Sequence, residues 1–242
     1  MLALSAHMLL GITAYRLFLF LMGSEVSGIA SAGRGWWFMD AVLVFQFASL
    51  HSLLLFPGTR KRWERMLPGA LYGSFFTLIT CVSLLLMVLA WKRSPVLLWK
   101  FEGQAGMAVR VAYLLSWVGL FYSVALTGLG FQTGWTPFWA WVRGHQPPRR
   151  RHEERGAYRL LRHPVYLCFL GHVWFTPVMS SDRALLTILL TVYIFIGSYL
   201  KDRRLVFYLG QQYREYQARV PGYPLGLGPL GRVRLAQDSP KR

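Results

Sequence analysis

Apolar residues along this chain gather into long runs, separated by short stretches where Lys, Arg, Gly and Pro collect. Leu2 to Met22, Trp37 to Phe56, Ala70 to Trp91 and Met107 to Leu129 each come near the roughly 20 residues a helix needs to cross a bilayer. Val165 to Met179 and Ala184 to Leu200 bring the runs to six. The fifth is short, and predicts either a span with little tilt or a hairpin with the sixth through Ser180-Ser181-Asp182-Arg183. Beyond Leu200 the pattern turns polar, as Lys201-Asp202-Arg203-Arg204-Leu205 and then a polar helix ending near Val220-Pro221. Trp36, Trp37, Trp91, Trp99, Trp139 and Trp141 lie at or near run ends, where an aromatic belt places them. The expectation is an all-α, polytopic integral membrane protein with about six transmembrane helices and a C-terminal cytoplasmic helix. It forms one domain: membrane helices over 1–142, a functional segment over 143–221 and a basic, flexible tail over 222–242.

Composition agrees with the pattern. With 54% hydrophobic and 16% aromatic residues among 242, the chain is too apolar for a soluble domain of this size. The formal charge of +17 would suggest nucleic acid on a soluble face, but the basic residues are confined to segments between apolar runs. Membrane orientation explains them better, and no nucleic-acid partner is expected. Of the 27 Lys and Arg, 20 fall between the second and third runs, before the fifth run and after Leu200. Arg34, Lys92, Arg93, Lys100 and Arg183 occupy the alternate connections, and Arg16 and Arg110 lie inside runs. The positive-inside rule therefore places both termini in the cytoplasm, in a bacterial inner membrane or, in a eukaryote, the endoplasmic reticulum. Gln146-Pro147-Pro148-Arg149-Arg150-Arg151 reads as an extended segment attracted to anionic lipid head groups.

The first run also resembles a signal peptide, because Ala30-Ser31-Ala32 has the form of a cleavage site. It lacks a positive n-region and carries Arg16 within its apolar part, so retention is expected. Cys81 and Cys168 both fall inside apolar runs, which argues for free thiols. Zinc-type spacings, nucleotide-binding glycine loops and internal repeats are absent from the sequence.

The chemistry concentrates in Arg162-His163-Pro164-Val165-Tyr166. Proline is favoured at the first helical position, so Pro164 opens a helix whose first N–H groups point back toward Arg162 and His163. The product is a cationic, donor-rich pocket at a bilayer surface, with the Lys201 segment returning to the same side. Residue by residue, a plainer reading stands beside this one. Arg162 and His163 also suit a helix end held at lipid head groups. Asp202 also suits a surface pair with Arg203 or Arg204. Tyr213 and Tyr216 share one helix face and also suit lipid packing, and His51 suits a satisfied polar residue between helices. Cys168 and His172 read as packing.

Gly156 to Leu167, a short helical hairpin and Tyr213-Arg214-Glu215-Tyr216 ahead of Val220-Pro221 together resemble the C-terminal half of the isoprenylcysteine carboxyl methyltransferase superfamily. Within it the likeness is to bacterial methanethiol S-methyltransferases. Leu50-His51-Ser52 looks like a partial copy of their early Gln/His/Ser element. Two positions depart from the pattern: Cys168 replaces a glycine, and the Glu-Glu-x-x-Leu element reads Lys201-Asp202-Arg203-Arg204-Leu205.

The resemblance implies an S-adenosylmethionine-dependent methyltransferase. It assigns cofactor binding to Arg162, His163, Pro164, Tyr166, Asp202, Leu205, Tyr213 and Tyr216, and catalysis to Asp202, Arg203 and His51. It implies no metal. The cofactor carboxylate suits the start of the Pro164 helix, Asp202 the ribose or ammonium, and the tyrosines the adenine. Loss of a carboxylate at Lys201 argues against an amine acceptor, because an amine must first lose a proton. The expected acceptor is a small or lipid-soluble thiol, whose thiolate Lys201 can attract. A prenylcysteine carboxylate, or a non-catalytic nurim-like role among membrane lipids, are the alternatives.

Overall fold

The computed structural model describes residues 2–23, 29–30, 35–146, 154–226 and 228–233. In chain order its helices and strands are α1 (Leu2–Met22), β1 (Ile29–Ala30), α2 (Trp36–Leu55), α3 (Pro57–Trp63), α4 (Gly69–Ala90), β2 (Lys92–Arg93), β3 (Leu97–Lys100) and α5 (Gly103–Leu126). There follow α6 (Leu129–Gln132), α7 (Trp135–Val142), a 3-10 turn at Gly156–Arg159, α8 (Pro164–Trp174), β4 (Val178–Ser180), α9 (Ser181–Leu209), α10 (Gln211–Arg219) and a 3-10 turn at Gly228–Leu230. Arg34, the Ala30-Ser31-Ala32 site apart from Ala30, the Gln146-to-Arg151 segment apart from Gln146, and the expected tail over 234–242 lie outside the described residues.

The protein is an all-α integral membrane protein, with α1, α2, α4, α5 and α9 long and apolar enough to cross a bilayer. The bundle is built on α4, which packs against α1, α2 and α7; α9 packs on α2 and α8, and α8 on α5. Its interior is an apolar cluster that includes Phe20, Leu43, Met87, Trp91, Tyr113, Trp117 and Leu186. Large apolar side chains on the outside, such as Phe45, Leu115, Val118 and Ile188, are exposed from the protein and suit acyl chains.

Among the described residues five helices reach spanning length, not six, and the difference lies in the fifth run. α8 ends at Trp174 after 11 residues, about 16 Å at the helical rise. Pro177 cannot continue a helix and pushes the residue before it into extended backbone. The chain then runs as β4, antiparallel to β3, before turning into α9. α8 and α9 pack together as the expected hairpin, but the chain turns through residues 175–180, and Ser181, Asp182 and Arg183 already form the first turn of α9.

A second correction concerns Leu200, where apolarity ends but the helix does not. Nothing between Leu200 and Leu209 breaks helical geometry, so α9 runs 29 residues to Gly210, whose φ of 58° ends it. The Lys201 segment is therefore the last two turns of a spanning helix, and α10 is the separate polar helix. Trp91, expected at the belt, is instead fully buried and donates its indole N–H to Asp182 Oδ2 at 3.0 Å. Arg183 likewise turns inward, donating to the carbonyls of Phe20 at 2.6 Å and Leu21 at 3.0 Å, the end of α1. Residues 222–226 and 228–233, expected to trail away, fold back over the start of α8: Tyr223 N–H donates to Leu230 O at 3.1 Å and Val233 N–H to Gln217 O at 3.0 Å.

α4 and the turn before α7 touch backbone to backbone, where a Cβ on Gly73 would lie 2.5 Å from Gly134 Cα. Gly73→Ala is expected to cost about 1–3 kcal/mol of stability through that clash. Gly11, with open space around it, provides the control: Gly11→Ala is expected to be neutral or stabilising by about 0.5–1 kcal/mol. Unfolding midpoints of the two variants in detergent check the difference.

Candidate functional site

The site begins where the 3-10 turn hands over to α8. His163 stands at the N-cap of α8 with extended-to-bridge backbone, φ −123° and ψ 45°, and Pro164 fills the first helical position. Arg162 N–H donates to Pro221 O at 2.9 Å, which ties this corner to the chain leaving α10. Both side chains are sealed from solvent, Arg162 at 1% exposure and His163 at 0%.

Arg162 Nη2 lies 3.0 Å from Asp202 Oδ2, across from the last turns of α9. The guanidinium also donates to two carbonyls, Gln217 O at 3.1 Å and Pro229 O at 2.9 Å. Asp202 receives a further hydrogen bond on its other oxygen from Tyr213 Oη at 2.5 Å. His163 Nε2 is 3.3 Å from Asp202 Oδ2, near enough for charge attraction but misaligned for a hydrogen bond. Among the described residues, both ring nitrogens of His163 and Nε of Arg162 are buried with no hydrogen-bond partner. Such atoms cost free energy unless something satisfies them.

Aromatic rings pack this corner. His163 meets Tyr166 edge-on at 5.5 Å and Tyr223 at 5.4 Å, and Tyr223 meets Phe195 at 5.2 Å. Tyr216 Oη donates to Tyr158 O at 2.6 Å, and its ring lies 5.6 Å from that of Tyr213. Leu205, Val206 and Leu209 pack against Tyr213, Tyr216 and Val220, which fixes α10 on α9. Lys201 Nζ stands over two rings, 5.3 Å from Tyr166 and 5.8 Å from Tyr158.

These surroundings set the protonation states. Burial pushes the His163 imidazole below its ordinary value, and Asp202 only partly reverses this, so the ring is neutral near pH 7. Burial also pushes Tyr213 and Tyr216 up, Asp202 adding to the effect at Tyr213, and takes Tyr223 up to about 12. All three remain hydroxyl donors at physiological pH.

Of the residues singled out in the sequence, Arg162, His163, Pro164, Tyr166, Asp202, Leu205, Tyr213 and Tyr216 come together here. Asp202 takes Arg162 as its partner rather than Arg203 or Arg204 on a surface. The hydroxyls of Tyr213 and Tyr216 are committed to protein acceptors, so these rings support the site from beneath instead of walling an open pocket. Arg203 is not part of the constellation: it is exposed and stacks on Tyr199 at 5.9 Å, because one residue's step around α9 turns it about 100° from Asp202. His51 lies apart on α2, with Nδ1 2.8 Å from Tyr193 Oη, which is also 3.2 Å from Ser52 Oγ. Cys168 packs toward Gly119, and His172 lies against Trp117 at 4.4 Å. Sequence reasoning passed over Tyr158, Tyr193, Gln217, Tyr223 and Pro229 here, and named Arg204 only as a surface partner for Asp202. Arg204, which donates to Leu55 O at 3.3 Å, had a signal in its three-residue spacing from Lys201. Gln217 and Pro229 act through backbone carbonyls, which leave none.

A polytopic helical protein with a buried Arg-His-Pro corner clamped onto the end of its last span by a single carboxylate is the class these observations define. No family model matches the chain, and no solved structure does. A methanethiol S-methyltransferase of Pseudomonas sp. is 30% identical over 229 residues, covering 90% of this chain and 86% of that protein. The methanethiol S-methyltransferase of Mycobacterium tuberculosis is 29% identical over 183 residues, 75% of each chain. Nurim of Sus scrofa is 29% identical over 187 residues, 73% of this chain and 70% of its own. The chain belongs to the bacterial methanethiol S-methyltransferase family, within the isoprenylcysteine carboxyl methyltransferase superfamily.

Two expectations arise from the corner. Tyr213→Phe removes a hydrogen bond to a buried carboxylate and is expected to lower stability by about 1.5–3 kcal/mol, read by unfolding in detergent. The neutral, buried His163 makes the unfolded chain the better proton acceptor below the ordinary value of 6.5. Stability is therefore expected to be unaffected by this group above that value and to fall as pH drops from about 7 to about 5. In His163→Phe the fall should be shallower, and an unchanged slope would contradict the assignment.

Proposed function

We propose that the protein is an S-adenosylmethionine-dependent membrane methyltransferase whose acceptor is a small thiol. The observation that carries this reading is the set of orphaned polar atoms at the start of α8: the two ring nitrogens of His163 and Nε of Arg162, all buried, at a helix end whose own first N–H groups lack intrahelical partners. A carboxylate or hydroxyl group on a ligand satisfies such atoms, and the helix dipole favours the carboxylate. The names of the relatives support a methyl-transfer chemistry, and S-adenosylmethionine is a methyl donor that carries such a carboxylate.

Bound at this corner, S-adenosylmethionine supplies a methyl group on a sulfonium; transfer to a thiolate forms one sulfur–carbon bond, breaks another, and leaves a neutral thioether. The chain's own residues then have distinct tasks. His163 and the N–H groups at the start of α8 bind. Asp202, held by Arg162 and Tyr213, is a positioning residue that keeps the Arg162 and His163 side chains at the corner. Tyr166, Tyr223 and Phe195 exclude water, which strengthens every electrostatic contact within. His51 with Tyr193 forms a polar pair between α2 and α9, and in this reading it meets the thiol. A thiolate needs little base catalysis, so this pair orients rather than activates.

In this reading the site faces the cytoplasm, as the distribution of Lys and Arg implies, and the exposed apolar belt contacts membrane lipids. The second reading, a nurim-like protein without catalysis, draws on the saturation of Asp202 by protein partners and on the nurim relatives.

Purified protein supplied with methyl-labelled S-adenosylmethionine and, in parallel, methanethiol, a farnesylcysteine analogue and phosphatidylethanolamine separates these possibilities. Label in dimethyl sulfide is expected, and His163→Ala should weaken cofactor binding by calorimetry at least about tenfold. Label confined to the prenylcysteine or the phospholipid would refute the acceptor class. No binding of the cofactor at all would favour the non-catalytic reading, and labelling of a cysteine at His145 from outside the cell would refute the orientation.

A further inference from the structure

α7 crosses no membrane and carries none of the residues of the Arg-His-Pro corner, yet the bundle holds it firmly. Gly134, just before its first turn, touches Gly73 at the start of α4 backbone to backbone. Trp135 meets the His7 ring of α1 at 4.7 Å, and His7 is fixed in turn against Ala3 O at 2.6 Å and Thr133 Oγ1 at 2.9 Å. The aromatic face of α7 is therefore set before any ligand arrives, which lowers the cost of binding there.

Along that face runs a cleft of about 510 Å³, within the roughly 300–1,000 Å³ that ligand sites occupy. Trp135, Trp139 and Arg143 line it at four-residue steps, and so share one side of the helix. Trp135 and Trp139 meet edge-on at 5.6 Å, and the Arg143 guanidinium stacks on the Trp139 ring at 5.5 Å. His145 and Gln146, both exposed, line the polar end beside Arg143. The last carbonyls of α7 do not compete there, because the N–H groups of Arg143, His145 and Gly144 donate to Trp139 O, Ala140 O and Trp141 O. Among the described residues the ion pairs are made elsewhere, by Arg60, Lys100, Arg162, His163 and Arg219, and none engages Arg143 or His145. One end of the cleft is thus aromatic and the other cationic.

Its place in the bundle says what has that chemistry. The start of α4, on which α7 rests, follows Arg60, Lys61, Arg62 and Arg65 in the chain, so the cleft lies at the basic end of the molecule. Tryptophan rings sit at the level of lipid head groups, and the cytoplasmic leaflet that attracts basic segments is the acidic one. A soluble anion has no use for the two indole rings, whereas a lipid fills both ends. A zwitterionic head group would bring an ammonium against Arg143, so the charge selects an acidic one.

We propose that the cleft along α7 binds one anionic glycerophospholipid, its phosphate at Arg143 and His145 and the upper part of an acyl chain along Trp135 and Trp139. The site does not depend on the methyltransferase reading, since no residue of the Arg-His-Pro corner lines it.

Native mass spectrometry of the full chain, delipidated in detergent, counts retained lipid during titration with phosphatidylglycerol, with phosphatidylcholine of the same chains, and with glycerol 3-phosphate. The proteins are wild type, Arg143→Gln, Arg143→Lys, Trp139→Ala and, as a control for diffuse surface charge, Arg65→Gln, an exposed position outside the cleft. Wild type is expected to hold one phosphatidylglycerol at least about fivefold more tightly than phosphatidylcholine, and Arg143→Gln to lose that preference while Arg143→Lys keeps most of it. Trp139→Ala should weaken both lipids roughly tenfold, and Arg65→Gln should match wild type. Should Trp139→Ala lower the unfolding midpoint, the exposed Arg143 decides alone. Three results would each overturn the proposal: no preference for the acidic lipid in wild type, an equal loss in Arg65→Gln and Arg143→Gln, or glycerol 3-phosphate bound as tightly as the lipid. The first two leave only general contact with the bilayer, and the third a phosphate site that takes no lipid.

Discussion

The contact between Arg162 and Asp202 is the constraint on which the rest of this site depends. Two opposite charges 3.0 Å apart, each almost fully removed from solvent, gain strong attraction in a medium of low polarity but lose their hydration. The loss is offset only when the remaining lone pairs and N–H groups find partners, and here Gln217, Pro229 and Tyr213 provide them. What the pair secures is geometry rather than a large net stabilisation. It joins the start of α8 to the last turns of α9, and recruits α10 and the returning C-terminal chain as hydrogen-bond partners.

That arrangement follows from the membrane as solvent. α8 stops after 11 residues, ahead of Pro177, which cannot continue a helix, so the chain completes this segment as β4 rather than as a full span. α9 continues past the apolar boundary at Leu200, and so carries Lys201, Asp202 and Arg204 beyond the acyl region as the side of a rigid helix rather than as a loop. Gly210 then reverses the chain, and α10 lays Tyr213 and Tyr216 against the same corner. At the opposite end of the bundle Asp182 and Arg183 do a comparable structural task, accepting from Trp91 and capping α1. The two polar clusters close the helix bundle at both ends, and among the described residues only the first leaves both nitrogens of a buried histidine unsatisfied.

Much of this was legible from residues alone, for definite reasons. A bilayer demands about 20 apolar residues per helix, so each of the five spanning helices among the described residues stands out as a run. The Arg-His-Pro order announces a helix start, and Asp202, Leu205 and Tyr213 fall at spacings that let one face of α9 and α10 meet it. Arg203 lies away from the corner because Asp202, its neighbour in sequence, points inward, and adjacent residues on a helix do not share a face. The extent of α9 was misjudged because hydropathy marks the edge of the membrane and not the end of a helix. The return of the chain over His163 was invisible, since Gly222 and Gly226 report close approach only once their neighbours are known: a Cβ at either would strike Leu230 O.

The most direct test of the account is a double-mutant cycle on Arg162→Met and Asp202→Asn, read by unfolding free energy and by affinity for S-adenosylmethionine. If the ion pair organises the corner, each single replacement leaves a buried polar group uncompensated, and the double variant is less damaged than the sum of the two, with a coupling of at least about 2 kcal/mol in stability. Cofactor affinity should be lost in all three variants. Additive effects on stability, together with cofactor affinity that survives Asp202→Asn, would contradict the claim that this contact builds the site.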